Sequence, residues 1–316
     1  RDVTGVQTCA LPIYIQQVGD GAGRTQTAIV YDLAKNGRLF MEYLSARVAA
    51  TATKPWSDMT QEERDARNKA TYAADNHPLD SAIRGFFYSY SHNPESRYNK
   101  AVQEGLELGA FLGRKLQLRN ETRDLTFNRL NSGLLDAKRI AHAGYGIENV
   151  FKQIHIDKYK ASNLHISLDA SGSMSGKKWE KTLTMTMAIA KAAKSCTNLN
   201  VQVSLRHTEN RTDNPVVVMI YDSRKNPLQL LELALRASCT NSVTPEGLCY
   251  EAMIKRNLFV PSNSECDSYM INISDGYPGG CGDYDGPKAW KHTRDQVTKL
   301  DGMGIKTLSF YVVEGD

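Results

Sequence analysis

The fold is decided by one stretch of the chain, LHISLDASGSMSG at residues 164–176. Its first residues, Leu164 to Leu168, alternate like a short apolar strand that ends at Asp169. A polar, glycine-containing turn follows, and apolar residues then recur at helical spacing from Lys178 to Ser195. A strand that leads through a turn into a helix is the building unit of parallel α/β sheets, so we expect that architecture here.

Strands and helices keep alternating downstream of this unit. The predicted strands are 201–205, 216–221, 269–273 and 305–313, and the predicted helices are 228–235, 245–257 and 290–300. The strand at 201–205 alternates like a half-exposed strand, and a polar turn joins it to the next. The pattern predicts an α/β, doubly wound, mostly parallel sheet of the Rossmann-like type.

Three polar segments stand where such a sheet binds its ligands, beyond the carboxyl ends of the strands. They are 169–176, 242–247 and 274–278. Their candidate side chains are hard oxygen donors, with no imidazole or thiolate among them: Asp169, Ser171, Ser173, Thr244 and Asp275. Such a set suits Mg²⁺, or Mn²⁺ or Ca²⁺, rather than zinc or copper. An open coordination position would let an acidic group of a partner complete the shell.

Each of these side chains also has an ordinary structural explanation. Helix caps would account for Ser171, Ser173 and Thr244, and a plain turn would account for Asp275. Because all three segments occur in this order along one chain, a metal site is favoured over separate helix caps and a plain turn. The less favoured alternatives to Thr244 are Thr240 and Ser242.

These residues resemble the metal-ion-dependent adhesion site (MIDAS) of von Willebrand factor A (vWA) domains, written Asp-x-Ser-x-Ser, then Thr, then Asp-Gly. The resemblance covers about 163–313. It implies that Ser171, Ser173 and Thr244 bind the ion directly, and that Asp169 and Asp275 act directly or through water. It also implies a protein–protein interaction module whose ion docks an acidic residue of its partner.

A second resemblance concerns the subfamily. Four stretches are similar to cobaltochelatase CobT-like proteins: 119–123, 129–136, 164–174 and 244–248. That likeness implies a non-catalytic adaptor that works beside an AAA+ ATPase, in metal chelation into a cofactor or in client remodelling. The alternative is a metal-assisted hydrolase that uses the same ion. It lacks a positioned general base, because His165 lies inside a strand and is interpreted as a core residue.

The N-terminal region, 14–160, is predicted to be mainly helical and basic, with helices near 27–50, 57–74 and 98–118. Gly105, Gly109 and Gly113 fall on one stripe of the last helix. They indicate either a close approach of another backbone or a weak helix end. The basic stretch 118–160 is typical of a solvated or partner-facing helical surface, and its few aromatic residues disfavour nucleic acid.

Composition describes a soluble, globular chain, with 41% hydrophobic and 23% charged residues and a net charge of +4. No run reaches the roughly 20 apolar residues that a membrane helix needs.

The six cysteines have no zinc-type spacing and are expected to be reduced in a cytoplasmic protein. In the loop 277–287, Cys281 is interpreted as an ordinary loop residue rather than a nucleophile.

Both ends of the chain need separate treatment. Residues 1–13, RDVTGVQTCALPI, resemble translated sequencing-adapter read-through and are excluded from fold reasoning. The vWA-like domain is assigned to 161–316, and we expect it to be truncated, because such domains normally carry a sixth strand and a closing helix.

Overall fold

A computed structural model provides the structure of the 316-residue chain. It describes residues 13–19, 25–50, 54–77, 87, 94–120, 123–157, 160–209, 214–238, 240, 243–276 and 278–313. Several features singled out in the sequence lie outside these residues, namely 1–12, most of the glycine-rich segment 19–24, Cys239, Ser242 and Tyr277.

Strands and helices alternate along most of the described chain. The strands are β1 (Ile13–Gly19), β2 (Thr25–Asp32), β3 (Arg123–Leu130), β4 (Leu134–Leu135), β5 (Phe151–Asp157), β6 (Ala161–Asp169), β7 (Leu199–Thr208), β8 (Pro215–Asp222), β9 (Cys266–Ser274) and β10 (Ile305–Tyr311). The α-helices are α1 (Gly37–Ala50), α2 (Gln61–Asp75), α3 (Pro94–Asn120), α4 (Ile140–Ala143), α5 (Lys177–Ala193), α6 (Leu228–Ala237), α7 (Glu246–Lys255) and α8 (Gly286–Gly302).

The main sheet is mixed but mostly parallel. Its strand order is β1-β2-β8-β7-β6-β9-β10. The pairs β2–β8, β7–β6, β6–β9 and β9–β10 are parallel, and the hairpins β1–β2 and β7–β8 are antiparallel. Helices cover both faces, so the predicted α/β class with a doubly wound sheet is confirmed.

Two hydrophobic cores lie on opposite faces of this sheet. The first contains buried residues of α1, α3, α5 and α6, for example Phe40, Val102, Leu183 and Leu231. The second contains residues of α7 and α8, together with the N-terminal strands. Strand β6 runs between the two cores near the middle of the sheet, so its end is supported from both sides.

The two faces of the central strands differ in polarity. In β6, Ile166 and Leu168 point into the first core, whereas His165, Ser167 and Asp169 alternate with them and are also buried. In β7 the polar residues Ser204, Arg206 and Thr208 are buried in the same way. The prediction that 201–205 is half-exposed is therefore wrong, because helix α7 covers its polar face.

The N-terminal region contains strands as well as the predicted helices. A helix was expected over 27–50, but a strand runs to Asp32 and the helix begins at Gly37. In β2 the buried and less buried side chains alternate, which is the period of a strand. Within the stretch 118–160, residues 123–130, 134–135 and 151–157 form a second sheet of order β3-β5-β4, where a helical surface was expected. The capped helix predicted near 57–74 is confirmed: Thr60 and Glu63 form a reciprocal capping box.

The glycine stripe of α3 packs directly against α5. A Cβ atom on Gly105 would lie 2.7 Å from the Thr184 carbonyl oxygen, and one on Gly109 would lie 2.6 Å from the Ala188 carbonyl oxygen. A Cβ on Gly113 would lie 2.8 Å from Ser195 Oγ. The interpretation of the stripe as a close helix contact is confirmed, and the weak-helix-end interpretation is wrong, since α3 continues to Asn120.

Two further sequence predictions concern the membrane and the thiols. No helix in the described part of the chain has the length and apolar character needed to cross a bilayer. The described cysteines are free thiols, and all but Cys266 are buried. Packing into the cores accounts for most of these side chains.

We predict that Gly109→Ala lowers the free energy of unfolding by about 1–3 kcal/mol, although alanine favours helices over glycine. The added methyl group would meet the backbone of α5, which has no room to yield. Chemical denaturation measures the change, with Glu107→Ala on the exposed side of α3 as the matched control. A stabilised Gly109→Ala protein would contradict the close packing.

Candidate metal site

Segments from three parts of the chain meet at the carboxyl ends of β6 and β9. Asp169 is the last residue of β6, and the 3₁₀ turn Gly172–Met174 follows it. Thr244 precedes α7 and forms an antiparallel bridge with Gly279, which lies in the loop after β9. The bridge includes a hydrogen bond of 2.9 Å from the Gly279 amide to the Thr244 carbonyl, so the second and third segments are fixed to each other.

Asp169 organises this cluster. Its carboxylate is fully buried and accepts hydrogen bonds from the Ser171 amide at 3.0 Å, Thr244 Oγ1 at 3.2 Å and Ser274 Oγ at 2.7 Å. A hydroxyl group that donates its proton to Asp169 keeps its oxygen lone pairs for another ligand. The carboxylate therefore orients Thr244 as an acceptor toward any cation that enters.

The serine pair lies beside this carboxylate. Ser171 Oγ and Ser173 Oγ are 3.1 Å apart, with Ser171 buried and Ser173 exposed. Neither side chain caps a helix: the turn after Ser171 has no side-chain cap, and α5 begins after Gly176. Thr244 does not cap α7 either, because Pro245 holds that position without a side-chain bond. The capping explanations for these hydroxyls are therefore wrong.

Asp275 lies at the mouth of the cluster and is joined to it through Lys178. The Lys178 ammonium is 3.2 Å from Asp275 Oδ2 and also donates to the Ser173 carbonyl at 3.2 Å. The side chains of Asp275 and Lys178 are 11% and 20% exposed. The structure thus brings Asp169, Ser171, Ser173 and Thr244 together by hydrogen bonds, and it places Asp275 one contact further out.

A buried ion pair lies in the polar face of the sheet beneath the cluster. Arg206 donates to Glu246 Oε1 at 3.0 Å, to Asn272 Oδ1 at 2.6 Å and to Ser167 Oγ at 2.8 Å. Tyr250 donates to the same Glu246 oxygen at 2.9 Å. Because Glu246 is the first residue of α7, this network fixes the helix start that follows Thr244.

Sequence reasoning missed four residues of this arrangement: Ser274, Lys178, Arg206 and Glu246. Ser274 stood in a quoted segment, but its role depends on facing Asp169 across two neighbouring parallel strands. Polar residues at every second position of β6, β7 and β9 were the available signal for a buried polar face.

Cys281, which was considered as a nucleophile in the loop 277–287, makes no recorded contact with the Asp169 cluster in the described structure. Cys281 is fully buried, with its sulfur 3.8 Å from Gln26 Nε2, so it is not open to a substrate. The nearby His292 is engaged elsewhere, 3.0 Å from Tyr284 Oη and 3.3 Å from Glu251 Oε2. The interpretation of Cys281 as an ordinary loop residue is consistent with these contacts.

His165 is confirmed as a core residue. Its Nε2 shares a hydrogen bond of 2.8 Å with Ser204 Oγ. The centre of its ring lies 4.9 Å from the centre of the Phe259 ring. Burial lowers the pKa of His165 to about 4 and that of His207, in β7, to about 4. Both imidazoles are therefore neutral near pH 7.

The chemistry of the cluster fits a hard divalent cation better than a soft one. Its accessible donors are hydroxyl and carboxylate oxygens, which Mg²⁺, Mn²⁺ and Ca²⁺ prefer. In the described part of the chain, no three His, Cys, Asp or Glu side chains gather in a way that would hold a metal ion. Any ion here would therefore depend on the hydroxyls of Ser171, Ser173 and Thr244.

Comparison with known proteins gives structural likenesses only. No family model and no curated protein matches the chain. Manganese-loaded TRAP from Plasmodium vivax is 11% identical, with a TM-score of 0.36 over 49% of this chain and 59% of that one. The pilus adhesin SpaC from Lactobacillus rhamnosus GG is 12% identical, with a TM-score of 0.37 over 48% and 24%.

A third likeness is to the vWF domain of the pilus tip protein Mfa5 from Porphyromonas gingivalis, at 14% identity and a TM-score of 0.26 over 39% of this chain and 40% of that one. The chain thus spans well under two thirds of each of these structures. At such identities and TM-scores, the matches add nothing to the fold class that the strand order already shows.

We predict that Asp169→Ala lowers the free energy of unfolding by roughly 2–4 kcal/mol in metal-free buffer, because three buried donors lose their acceptor. Chemical denaturation in EDTA measures the loss. The matched control is Asp295→Ala on the exposed face of α8. Equal stability of the two variants would contradict the organising role of Asp169.

We also predict that stability falls as the pH is lowered from about 6.5 to about 4, the interval between the ordinary and the folded histidine pKa values. In this range the unfolded chain binds protons that the buried imidazoles do not. Each such histidine contributes a slope of up to about 1.4 kcal/mol per pH unit. His165→Asn should flatten the profile measured by denaturation, whereas His142→Asn, an exposed site, should leave it unchanged.

Proposed function

We propose that this chain is a metal-dependent protein–protein interaction module of the vWA type. One observation carries the proposal: oxygen donors from separate segments of the chain converge around the buried carboxylate of Asp169. Ser171, Ser173 and Thr244 would bind the ion directly. Asp169 and Asp275 would bind the ion directly or through water and orient the shell. Mg²⁺ is the favoured ion, with Mn²⁺ and Ca²⁺ as alternatives.

The position of the donors supports docking. Asp169, Ser171 and Thr244 are buried, whereas Ser173 is exposed and Asp275 is partly accessible. An ion held between them would face solvent on the side of Ser173. Mg²⁺ retains exchangeable waters when only one or two carboxylates bind it, so a carboxylate of another protein would replace a water there.

For the partner we propose an AAA+ ATPase in the cytoplasm, with this chain as a CobT-like, non-catalytic adaptor. The support is the sequence resemblance in 119–123, 129–136, 164–174 and 244–248. In the structure parts of the first two stretches lie in the sheet β3-β5-β4, which is separate from the main sheet whose strands carry the candidate site. The chain would then have one surface for the ion-bridged carboxylate and another for further contacts.

The alternative function, a metal-assisted hydrolase, needs a base that reaches an attacking water. His165 and His207 lie in the strands that lead to the site, and both are buried. Neither imidazole is exposed on the side of Ser173, where an ion would face solvent. These positions favour docking over hydrolysis.

We predict that Ser173→Ala weakens Mg²⁺ binding by about 10–100-fold, because it removes an exposed oxygen donor without disturbing the core. Isothermal titration calorimetry of the full chain measures the affinity. Ser175→Ala is the matched control, since it removes an exposed hydroxyl from the same turn; its affinity should stay within about twofold. Equal binding by wild type and Ser173→Ala would reject the ligand assignment.

The docking step is tested by pull-down with an AAA+ ATPase of the kind that works beside CobT-like proteins. We expect it to bind the wild-type chain in Mg²⁺, and to lose that binding both in EDTA and with Ser173→Ala. Binding that persists in EDTA would reject the ion bridge while leaving the metal site itself standing. Turnover of ester or phosphoester substrates by the isolated chain would favour the hydrolase instead.

A further inference from the structure

Lys178 occupies an unusual position for a lysine. It is the second residue of α5, and helix N-termini carry a partial positive charge that disfavours cations. Its ammonium nevertheless turns back toward the site, where it contacts Asp275 Oδ2 and the Ser173 carbonyl, each at 3.2 Å. The carboxylate of Asp275 therefore holds the lysine against the local field of the helix.

The same carboxylate is the accessible negative charge of the candidate metal site. Asp169 is fully buried and already accepts hydrogen bonds from three donors, whereas Asp275 lies at the mouth and is paired with Lys178. A divalent cation that enters between Ser173 and Asp275 meets the ammonium group there. Two positive charges that share one carboxylate repel each other strongly in a partly desolvated site.

We propose that Lys178 is a built-in competing cation that closes the metal site until a divalent ion displaces it. The inference rests on the proposed metal site and adds a regulatory residue to it. Ion entry breaks the Lys178–Asp275 pair and turns the ammonium out to solvent, which its partial exposure permits. A divalent ion outcompetes the ammonium because it carries twice the charge and binds several oxygens at once.

Displacement also reverses the charge at the mouth of the site. Without the ion, Lys178 pairs with Asp275 and neutralises its charge. With the ion bound, both the ion and the released ammonium present positive charge at the same place. An acidic partner would therefore recognise the loaded form through two cations instead of one.

The first test is Mn²⁺ titration of the full chain by calorimetry, with Lys178→Gln compared with wild type. Glutamine removes the charge and keeps a polar side chain that is one bond shorter. We expect Lys178→Gln to bind Mn²⁺ about tenfold more tightly or better. Lys177→Gln is the matched control, because Lys177 is exposed and adjacent in sequence; its affinity should stay within about twofold of wild type.

The outcomes separate this inference from the proposed function. If wild type binds Mn²⁺ and Lys178→Gln binds it equally or more weakly, the competing-cation role is overturned and the metal site stands. If wild type and both variants fail to bind Mn²⁺, both proposals are overturned. Binding by Lys178→Gln alone would support both, with Lys178 as the group that excludes the ion.

The second test follows the ammonium itself. Acetylation of lysines by a water-soluble anhydride, read by mass spectrometry, reports the availability of each amine. We expect saturating Mg²⁺ to raise the acetylation rate of Lys178 severalfold and to leave that of Lys177 unchanged. An unchanged or lower rate at Lys178 in a chain that binds Mg²⁺ would show that the ion enters without displacing the lysine.

Discussion

The arrangement around the site depends on one buried ion pair, Arg206 with Glu246. A guanidinium group inside a protein is stable only when its charge is paired and its donors are satisfied, so the strands around it must supply polar partners. Ser167 and Asn272 provide them from β6 and β9, and Glu246 provides the carboxylate from α7. This pairing fixes the first turn of α7 over the sheet. Thr244 lies two residues earlier and is therefore held within reach of Asp169.

Much of the domain after residue 160 was predictable, because its strands and helices have clear periods in the sequence and its polar segments fall at strand ends. The meeting of Asp169, Ser171, Ser173 and Thr244 followed from the geometry of parallel strands. The prediction missed the strands of 14–160: β2 lies in a stretch whose apolar spacing also fits a helix, and the sheet β3-β5-β4 lies in a basic stretch interpreted as a helical surface. It also missed the role of Lys178, because this depends on a contact with Asp275, 97 positions along the chain.

The two carboxylates of the candidate site have different physical roles. Asp169 is enclosed and uses its oxygens to orient neighbouring donors, so it acts on the geometry of the site. Asp275 is near solvent and already paired, so it acts on the charge of the mouth. A short sequence motif contains both as aspartates and does not distinguish them. The two aspartates are distinguished only by their burial and by the side chains they contact: Asp169 positions the oxygen donors of the candidate site, and Asp275 affects its charge.

The glycine stripe between α3 and α5 has a mechanical consequence. At Gly105 and Gly109 of α3, carbonyl groups of α5 occupy the space that side chains would otherwise fill. Because no side chains separate the two backbones there, we expect the helices to move together. Helix α5 begins directly after the serine turn of the candidate site, and α3 is about 40 Å long by its 27 residues. Any tilt of α5 at the serine turn would therefore have to carry α3 with it.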